Sequence, residues 1–216
     1  MKTIVTCGPS FEPIDEVRRL TNFSTGELGV LLAEQLAAAG HEVFCLKGSG
    51  ATHPGPAPSP RCHLRGFDTN DDLLALLREL STQPDVGAVF HAAALCDYRV
   101  ATVRDDAGNA FHAAKIASRA GALTLHLEPA TKVIGELRPL FPRSLLVGWK
   151  YELTGTRAES LAKVHRQFTE ARTDFCVLNG RAAGEGFTLC HAAGVVSSSP
   201  TKADLCSALI KLPQLT

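Results

Sequence analysis

The sequence TNFSTGELGVLLAEQLAAAG, residues 21–40, decides the fold of this chain. Its second half predicts an amphipathic helix over Gly26–Ala39, and its first half places an amide, two hydroxyls and a glycine at the start of that helix. Hydroxyls can cap free backbone N–H groups, and the helix dipole attracts an anion to the same end. An ordinary capped helix has the same pattern, so this segment alone leaves a phosphate site and a plain helix start equally open.

Apolar runs and helical patterns alternate along the rest of the chain. Thr3–Cys7, Glu42–Lys47 and Val86–His91 are typical of buried strands, and their alternation with helices is the order of a doubly wound α/β sheet. The later elements are helices at Asp71–Leu80, Thr131–Leu137, Arg157–Ala171 and Lys202–Lys211, apolar runs at Ser144–Gly148 and Asp174–Leu178, and paired runs at Gly186–His191 and Gly194–Ser197. We therefore predict a Rossmann-like, mainly parallel sheet with helices on both faces and a late β-hairpin.

Two long connections interrupt this pattern. Gly48–Pro60 contains four prolines and three glycines, which predicts an irregular surface loop. Arg99–Ser118 is a polar connection that carries Lys115, and loops of this length in compact domains tend to be functional or disordered. We expect the first connection to be a crossover, and the second to be either functional or disordered.

Length and composition limit what the chain can be. With 216 residues, 45% of them hydrophobic, we expect one domain over residues 1–216. The 22 basic and 22 acidic residues balance, so bulk charge gives no reason to expect a nucleic-acid or membrane partner. The chain has neither a signal-peptide-like stretch nor a run near the ~20 apolar residues of a spanning helix, so we expect a soluble, cytoplasmic protein.

Cysteines and histidines give no metal-binding pattern. The seven cysteines are widely spread without a C-x-x-C pair, and most lie in strand-like runs, where a reduced thiol behaves as a small apolar residue. The eight histidines lack H-x-x-x-H and H-E-x-x-H spacing. We therefore expect no metal ligands among them and a structural role for the cysteines.

Candidate chemistry lies where predicted strands end, because ligands of doubly wound sheets bind at the carboxyl ends of the strands. Gly8 and Ser10 follow the first strand, Ala92–Asp97 follow Val86–His91, and Trp149 ends a later apolar run. The aspartate can accept hydrogen bonds from an amine or a sugar hydroxyl, and the tryptophan can stack on a base. A tight strand exit and a core aromatic are the ordinary alternatives. Neither G-x-G-x-x-G nor G-x-x-x-x-G-K-[ST] is present, so any nucleotide is held in another way.

Taken in order, these segments resemble the phosphopantothenate–cysteine ligase family, which is the C-terminal domain type of the DNA/pantothenate metabolism flavoprotein. The resemblance covers most of the chain and rests on an ordered set of motifs rather than on any single one. The motifs are Gly8–Asp15 with Val17 and Arg18, Asn22–Gly26 with Gly29, Ala92–Ala94 with Asp97–Arg99, Lys115 with Ile116, Val147–Lys150, Asp174 and Asn179.

The resemblance implies a ligase of coenzyme A biosynthesis that joins 4′-phosphopantothenate to L-cysteine. The family activates the carboxylate as an acyl-nucleotide, using CTP or ATP with Mg²⁺, and the cysteine amine then displaces the nucleotide. In many bacteria a flavin-binding decarboxylase domain precedes this domain, and because that partner is missing from this chain we expect no flavin. The family also implies a homodimer, with Gly186–Ser197 or the connection around Lys115 as candidate contacts.

The resemblance also assigns roles to individual residues. Asn22 and Lys115 match the residues that handle the acyl intermediate and the phosphates, which makes them the candidate catalytic residues. The candidate substrate-binding residues are Arg18, Asn22 and Ala93. The candidate nucleotide-binding residues are Gly8, Ser10, Ser24, Thr25, Gly26, Asp97, Lys115 and Trp149.

Departures from the bacterial pattern keep a second function open. Glu27 stands where bacterial members usually carry a basic residue, Lys115 is the one lysine left of K-x-K-K, and Ala130–Lys132 replace N-P-D. Trp149–Glu152 look more like the eukaryotic branch, which is associated with ATP as well as CTP, so the choice of nucleotide stays open. The alternative is a nucleotide-binding relative without ligase activity. A short dehydrogenase is disfavoured by the missing glycine fingerprint and the absent Tyr-x-x-x-Lys pair.

Overall fold

The computed structural model describes residues 1–111, 114–119 and 121–212 of the chain. Its elements follow the alternation that the sequence predicts through most of the chain. They are β1 Lys2–Cys7, β2 Phe11–Pro13, β3 Arg19–Thr21, α1 Glu27–Ala38, β4 Glu42–Gly48, β5 Cys62–Phe67, α2 Asn70–Ser81, β6 Val86–His91, β7 Tyr98–Arg104, β8 Thr124–Pro129, α3 Val133–Leu140, β9 Leu145–Tyr151, α4 Arg157–Ala171, β10 Phe175–Asn179, β11 Phe187–His191, β12 Gly194–Ser199 and α5 Lys202–Leu209.

Eight strands form one sheet in the order β12-β11-β10-β9-β6-β1-β4-β5. The six strands β10, β9, β6, β1, β4 and β5 are parallel to one another. Strands β11 and β12 add an antiparallel hairpin at one edge. The predicted mainly parallel sheet with a late hairpin is therefore confirmed. The chain winds outward from β1 to β4 and β5, and then returns to β6 on the other side of β1. This reversal opens a crevice at the carboxyl ends of β1 and β6, where such sheets bind ligands.

Helices cover both faces of the sheet because side chains alternate along its buried strands. In β1, Val5 packs in one core with Leu36 of α1 and Leu205 of α5. Its neighbour Ile4 points to the opposite face and packs in a second core with Leu73 of α2. The prediction of helices on both faces is confirmed.

The structure also contains strands that the sequence pattern did not predict. Strand β5 lies at the edge of the main sheet, and β2–β3 and β7–β8 form two separate two-stranded sheets. The expected polar connection Arg99–Ser118 therefore differs from the structure at its start, which belongs to β7. These strands are short or carry many exposed residues, and none contains the continuous apolar run by which the buried strands were predicted.

Two smaller expectations can be compared with the described residues. All seven cysteines are free thiols, and five of them are buried, which fits a structural role. Within the described part of the chain, no helix combines the length and the apolar character needed to cross a membrane.

Candidate active site

Two adjoining pockets lie at the carboxyl ends of β1, β6 and β9. The first, which we term the α1 pocket, measures about 310 Å³ and is lined by the start of α1, including Gly26. The second, the α3 pocket, measures about 470 Å³ and is lined by the start of α3, including Val133. Ala93 and Trp149 line both pockets, so the two adjoin at the reversal point of the sheet, and we refer to them together as the cleft.

Glycines bring α1 close to the end of β1. Gly26, the N-cap residue, has a φ angle of 78°, a conformation that residues with a side chain rarely adopt. A Cβ atom at Gly8 would lie 2.7 Å from the Cβ of Ala51, and one at Gly29 would overlap the Cys7 side chain. Because the N-cap glycine has no side chain, it caps none of the first-turn N–H groups of α1. This helix start is suited to bind an anion.

An ion pair joins two residues of the α1 pocket. The Lys202 ammonium, at the start of α5, donates a hydrogen bond to the Glu27 carboxylate, at the start of α1. That hydrogen bond and the positive charge of Lys202 hold the pKa of the Glu27 carboxyl below its usual value. The carboxylate that the sequence places at the helix start is therefore accompanied by a cation from a distant part of the chain.

The α3 pocket is the more basic side of the cleft. Lys132 and Lys150 line it together with Asp97. Both lysines also line a neighbouring groove of about 380 Å³ between α3 and α4, where Lys163 and Arg166 add two further positive charges. Glu170 also lines this groove and Lys163 is paired with the Glu152 carboxylate, so the unbalanced positive charge is carried chiefly by Lys132, Lys150 and Arg166.

Two buried polar side chains also line the α3 pocket, and sequence reasoning did not identify them. His91 is 6% exposed, its Nδ1 lies 2.8 Å from the Thr6 hydroxyl, and burial lowers the pKa of its imidazole to about 4. The Asn70 amide donates hydrogen bonds to the carbonyls of Cys96 at 2.8 Å and Thr131 at 3.0 Å. It thereby ties together the loops on two sides of the pocket. The position of His91 at the end of a predicted buried strand could have indicated a site residue. The sequence around Asn70 gave no such indication.

The Asn22 amide connects the segment before α1 to the loop after β6. Its Nδ2 donates hydrogen bonds to the carbonyls of Ala94 at 3.2 Å and Leu95 at 2.8 Å. Ala94 and its neighbour Ala93 line the α1 pocket. Asn22 itself is exposed, so it lies at the edge of the cleft and is open to solvent.

Arg18 and Lys115 belong to a contact beside the cleft. The Arg18 guanidinium donates to the Ile116 carbonyl at 2.6 Å and lies 3.3 Å from the Asp15 carboxylate. The Ile116 amide donates in turn to Asp15 at 3.1 Å, and these bonds dock residues 114–119 on the turn between β2 and β3. Ile116 is buried, whereas Lys115 is exposed. Neither Arg18 nor Lys115 is among the described residues that line the two pockets.

The structure thus brings most of the predicted residues together. Ser10 is an exception, because it is fully buried and its hydroxyl accepts a hydrogen bond from the Cys96 amide at 2.8 Å, behind the cleft. In the described ranges, no group of three or more His, Cys, Asp and Glu side chains is arranged to hold a metal ion. Of the predicted residues, Gly8, Ser24, Thr25 and Gly26 line the α1 pocket and Asp97 lines the α3 pocket. Ala93 and Trp149 line both.

Comparison with known proteins identifies the family. Residues 1–208 match the family described as the DNA/pantothenate metabolism flavoprotein C-terminal domain. The chain belongs to this family. A curated relative, the coenzyme A biosynthesis bifunctional protein CoaBC of Thermococcus kodakarensis, is 30% identical over 178 residues, which cover 82% of this chain and 41% of that protein. The chain spans less than half the length of the curated relatives it matches.

Solved structures of other proteins have the same fold. The DNA/pantothenate metabolism flavoprotein from Streptococcus pneumoniae is 25% identical and superposes with a TM-score of 0.87, covering 100% of this chain and 99% of its own. A Cab2 variant in complex with phosphopantothenate-cysteine is 16% identical and superposes with a TM-score of 0.76, covering 99% of this chain and 85% of its own. At that identity the second likeness concerns the fold alone. The family and fold predicted from the sequence are both confirmed.

Proposed function

We propose that this chain is a ligase that joins 4′-phosphopantothenate to L-cysteine at the expense of CTP or ATP, in the cytoplasm and as a step of coenzyme A biosynthesis. The observation that carries the proposal is the cleft of two pockets that share Ala93 and Trp149 as a common wall. A reaction between two bound substrates needs such adjoining sites, because the reacting atoms must be held in contact. Relatives named for coenzyme A biosynthesis, and a relative solved with phosphopantothenate-cysteine, support this choice of substrates.

The charge distribution of the cleft supports a nucleotide and an acidic substrate. We propose that the nucleotide extends across Trp149, with its phosphates near the start of α1 and its base toward Asp97 in the α3 pocket. Phosphate oxygens would then meet backbone N–H groups and the positive end of the α1 dipole. Phosphopantothenate would bind beside Ala93 and Asn22, with Arg18 approaching from the turn between β2 and β3 and Lys115 from the segment that docks on this turn.

The reaction proposed for this cleft has two balanced steps. A carboxylate oxygen of phosphopantothenate attacks the α-phosphorus, the bond from that phosphorus to the β-phosphate oxygen breaks, and pyrophosphate leaves. The cysteine amine then attacks the acyl carbon, the nucleoside monophosphate leaves, and the amine loses a proton. Asn22 would place its amide beside the acyl group. Because both of its N–H bonds are donated to the Ala94 and Leu95 carbonyls, it would stabilise the developing negative charge by exchanging one of these partners for the acyl oxygen.

Lys115 needs a movement to take part in this reaction. It lies outside the described lining of both pockets, on the segment that Asp15 and Arg18 hold through Ile116. We propose that residues 114–119 move toward the cleft when substrates bind, so that the lysine reaches the phosphates.

The residues of the cleft fit a magnesium ion that arrives with the nucleotide. Mg²⁺ keeps several waters and is held by the phosphates of its nucleotide together with at most one or two carboxylates, so an ion carried by the phosphates to the start of α1 would need few protein ligands. When bound, the ion supplies positive charge to the phosphate oxygens and so favours departure of pyrophosphate.

The second candidate is a nucleotide-binding protein without ligase activity. It is favoured by the Glu27 carboxylate, which occupies the helix start where phosphates are proposed to bind. Mass spectrometry separates the two candidates, using purified protein with 4′-phosphopantothenate, L-cysteine, Mg²⁺ and either CTP or ATP. If the chain is a ligase, the mass of the condensation product appears with at least one of the two nucleotides. No condensation product forms when the nucleotide is omitted. Nucleotide binding without any product would favour the second candidate.

A further inference from the structure

Among the described residues that line the α1 pocket, Lys202 is the one lysine or arginine and Glu27 is the one acidic residue. The two stand 175 positions apart in the chain and are joined by a hydrogen-bonded ion pair. The fold therefore places a cation of α5 at the start of α1.

Packing fixes the backbone at both ends of this ion pair. Leu205 and Leu209 of α5 are fully buried in the core that also contains Val30 and Leu36 of α1. The start of α5 is capped by Thr201, whose hydroxyl accepts a hydrogen bond from the Asp204 amide. The Lys202 side chain, by contrast, is 42% exposed and that of Glu27 is 37% exposed. The ammonium can thus change partners while the two helices stay in place.

The ion pair adjoins the part of the cleft in which phosphate is proposed to bind. Ser24, Thr25 and Gly26 line the same pocket; Gly26 has no side chain that could cap α1, and the Thr25 hydroxyl accepts a hydrogen bond from one first-turn amide, that of Glu27, at 3.3 Å. A phosphate group at that helix start would compete with the Glu27 carboxylate for the lysine, since both are anions that accept hydrogen bonds from an ammonium.

We propose that Lys202 binds a phosphate group of a substrate in the α1 pocket, and that Glu27 holds the lysine there until the substrate arrives. The inference rests on the proposed function, because it takes phosphate to be the ligand of this pocket. The nucleotide and 4′-phosphopantothenate both carry phosphate, and separate binding measurements distinguish the two sources.

The test compares two variants that break the same ion pair. Dissociation constants for CTP, ATP and 4′-phosphopantothenate are measured by calorimetry in Mg²⁺ for the wild type, Lys202→Met and Glu27→Gln. If Lys202 binds phosphate, Lys202→Met weakens binding of at least one of these ligands about tenfold or more, because a charge-assisted contact is lost. Glu27→Gln tightens binding of the same ligand, because a competing carboxylate is removed. Effects of opposite sign are therefore expected.

A structural ion pair gives a different result. In that case both variants lower the melting temperature and weaken binding in the same direction, or leave binding unchanged, and either outcome overturns the inference. Lys211→Met removes a lysine beyond the other end of α5 and serves as the matched control, expected to bind like the wild type. The charge exchange Glu27→Lys with Lys202→Glu returns a cation to the pocket, and binding is expected to recover to within a few fold of the wild type.

The unphosphorylated ligands and the wild type complete the design. Cytidine, adenosine and pantothenate lack phosphate, so Lys202→Met should leave any binding of these compounds unchanged. A wild type that binds neither nucleotide nor phosphopantothenate overturns the proposed function together with this inference. Ligand binding by the wild type that Lys202→Met leaves unaltered overturns the inference alone.

Discussion

Asn22 is the residue on which the second half of the proposed reaction depends. Its amide donates hydrogen bonds to the Ala94 and Leu95 carbonyls, so the side chain is already held beside the cleft. Asn22→Asp replaces those donors with a carboxylate that repels both carbonyls and the acyl group. We expect turnover to fall by about 10²-fold or more, with an acyl-nucleotide accumulating in quenched reactions analysed by mass spectrometry. Asn22→Gln, which keeps the amide, is the matched control, and normal turnover in Asn22→Asp would remove the residue from this role.

His91 gives the chain a stability that depends on pH. Burial lowers the pKa of this imidazole to about 4, whereas the unfolded chain titrates near the ordinary value of ~6.5. The unfolded state therefore binds more protons between these values, and stability falls as the pH is lowered through this window, by roughly 3 kcal/mol for this group.

Urea unfolding at pH 7, 5 and 4 measures the effect. His91→Gln should lose stability less steeply than the wild type as the pH falls, because it has no imidazole to protonate. His165→Gln, at an exposed position of α4, should follow the wild-type slope. Equal slopes for the wild type and His91→Gln would contradict the account of this residue.

At the scale of elements, the position of α1 against β1 shapes the α1 pocket. A side chain at Gly29 would overlap Cys7, so we expect Gly29→Ala to push the helix away from the strand and to destabilise the fold by about 1–3 kcal/mol. Gly135, inside α3, has open space where a Cβ atom would be, and Gly135→Ala should be neutral or stabilising by up to ~1 kcal/mol. The stabilities of both variants are compared by thermal unfolding. Equal stabilities would show that the contact between residue 29 and Cys7 does not determine how closely α1 packs on β1.

Elements differ in how far the sequence predicted them. Strands β1, β4 and β6 are largely buried and read as apolar runs, whereas β7 and β8 form a mostly exposed ribbon without such a run. The candidate site shows the same division. Gly8 directly follows β1 and Gly26 directly precedes α1, so both could be predicted from the local sequence. The ion-pair partner of Glu27 is Lys202, which lies far away in the sequence and is brought near only by the tertiary fold. A pattern read along one segment cannot report such a contact.

At the scale of the whole molecule, the order of strands places the cleft and leaves an edge exposed. Strand β12 ends the sheet, and Val195 and Val196 on it are more than half exposed. Exposed apolar edge strands are sites of pairing between chains. We propose a homodimer that uses this edge, and we expect light scattering after gel filtration to give twice the mass of the chain.

Substitutions on the two sheet edges test this assembly. Val195→Lys combined with Val196→Glu should shift the protein toward the monomer. Leu64→Lys places a charge on the opposite edge strand, β5, where Leu64 is 51% exposed, and should leave the mass unchanged. A dimer that persists after the double substitution would show that the interface lies elsewhere on the protein. A wild type that is monomeric at every concentration would contradict the proposed homodimer.

The central claim is that this cleft activates a carboxylate with a nucleoside triphosphate. Pyrophosphate release by the purified protein tests it most directly, measured with Mg²⁺ and CTP or ATP, with and without 4′-phosphopantothenate and L-cysteine. We predict release that requires phosphopantothenate, continues through many turnovers when cysteine is present, and identifies the nucleotide used. Folded protein that binds nucleotide yet releases no pyrophosphate with either triphosphate would contradict the claim.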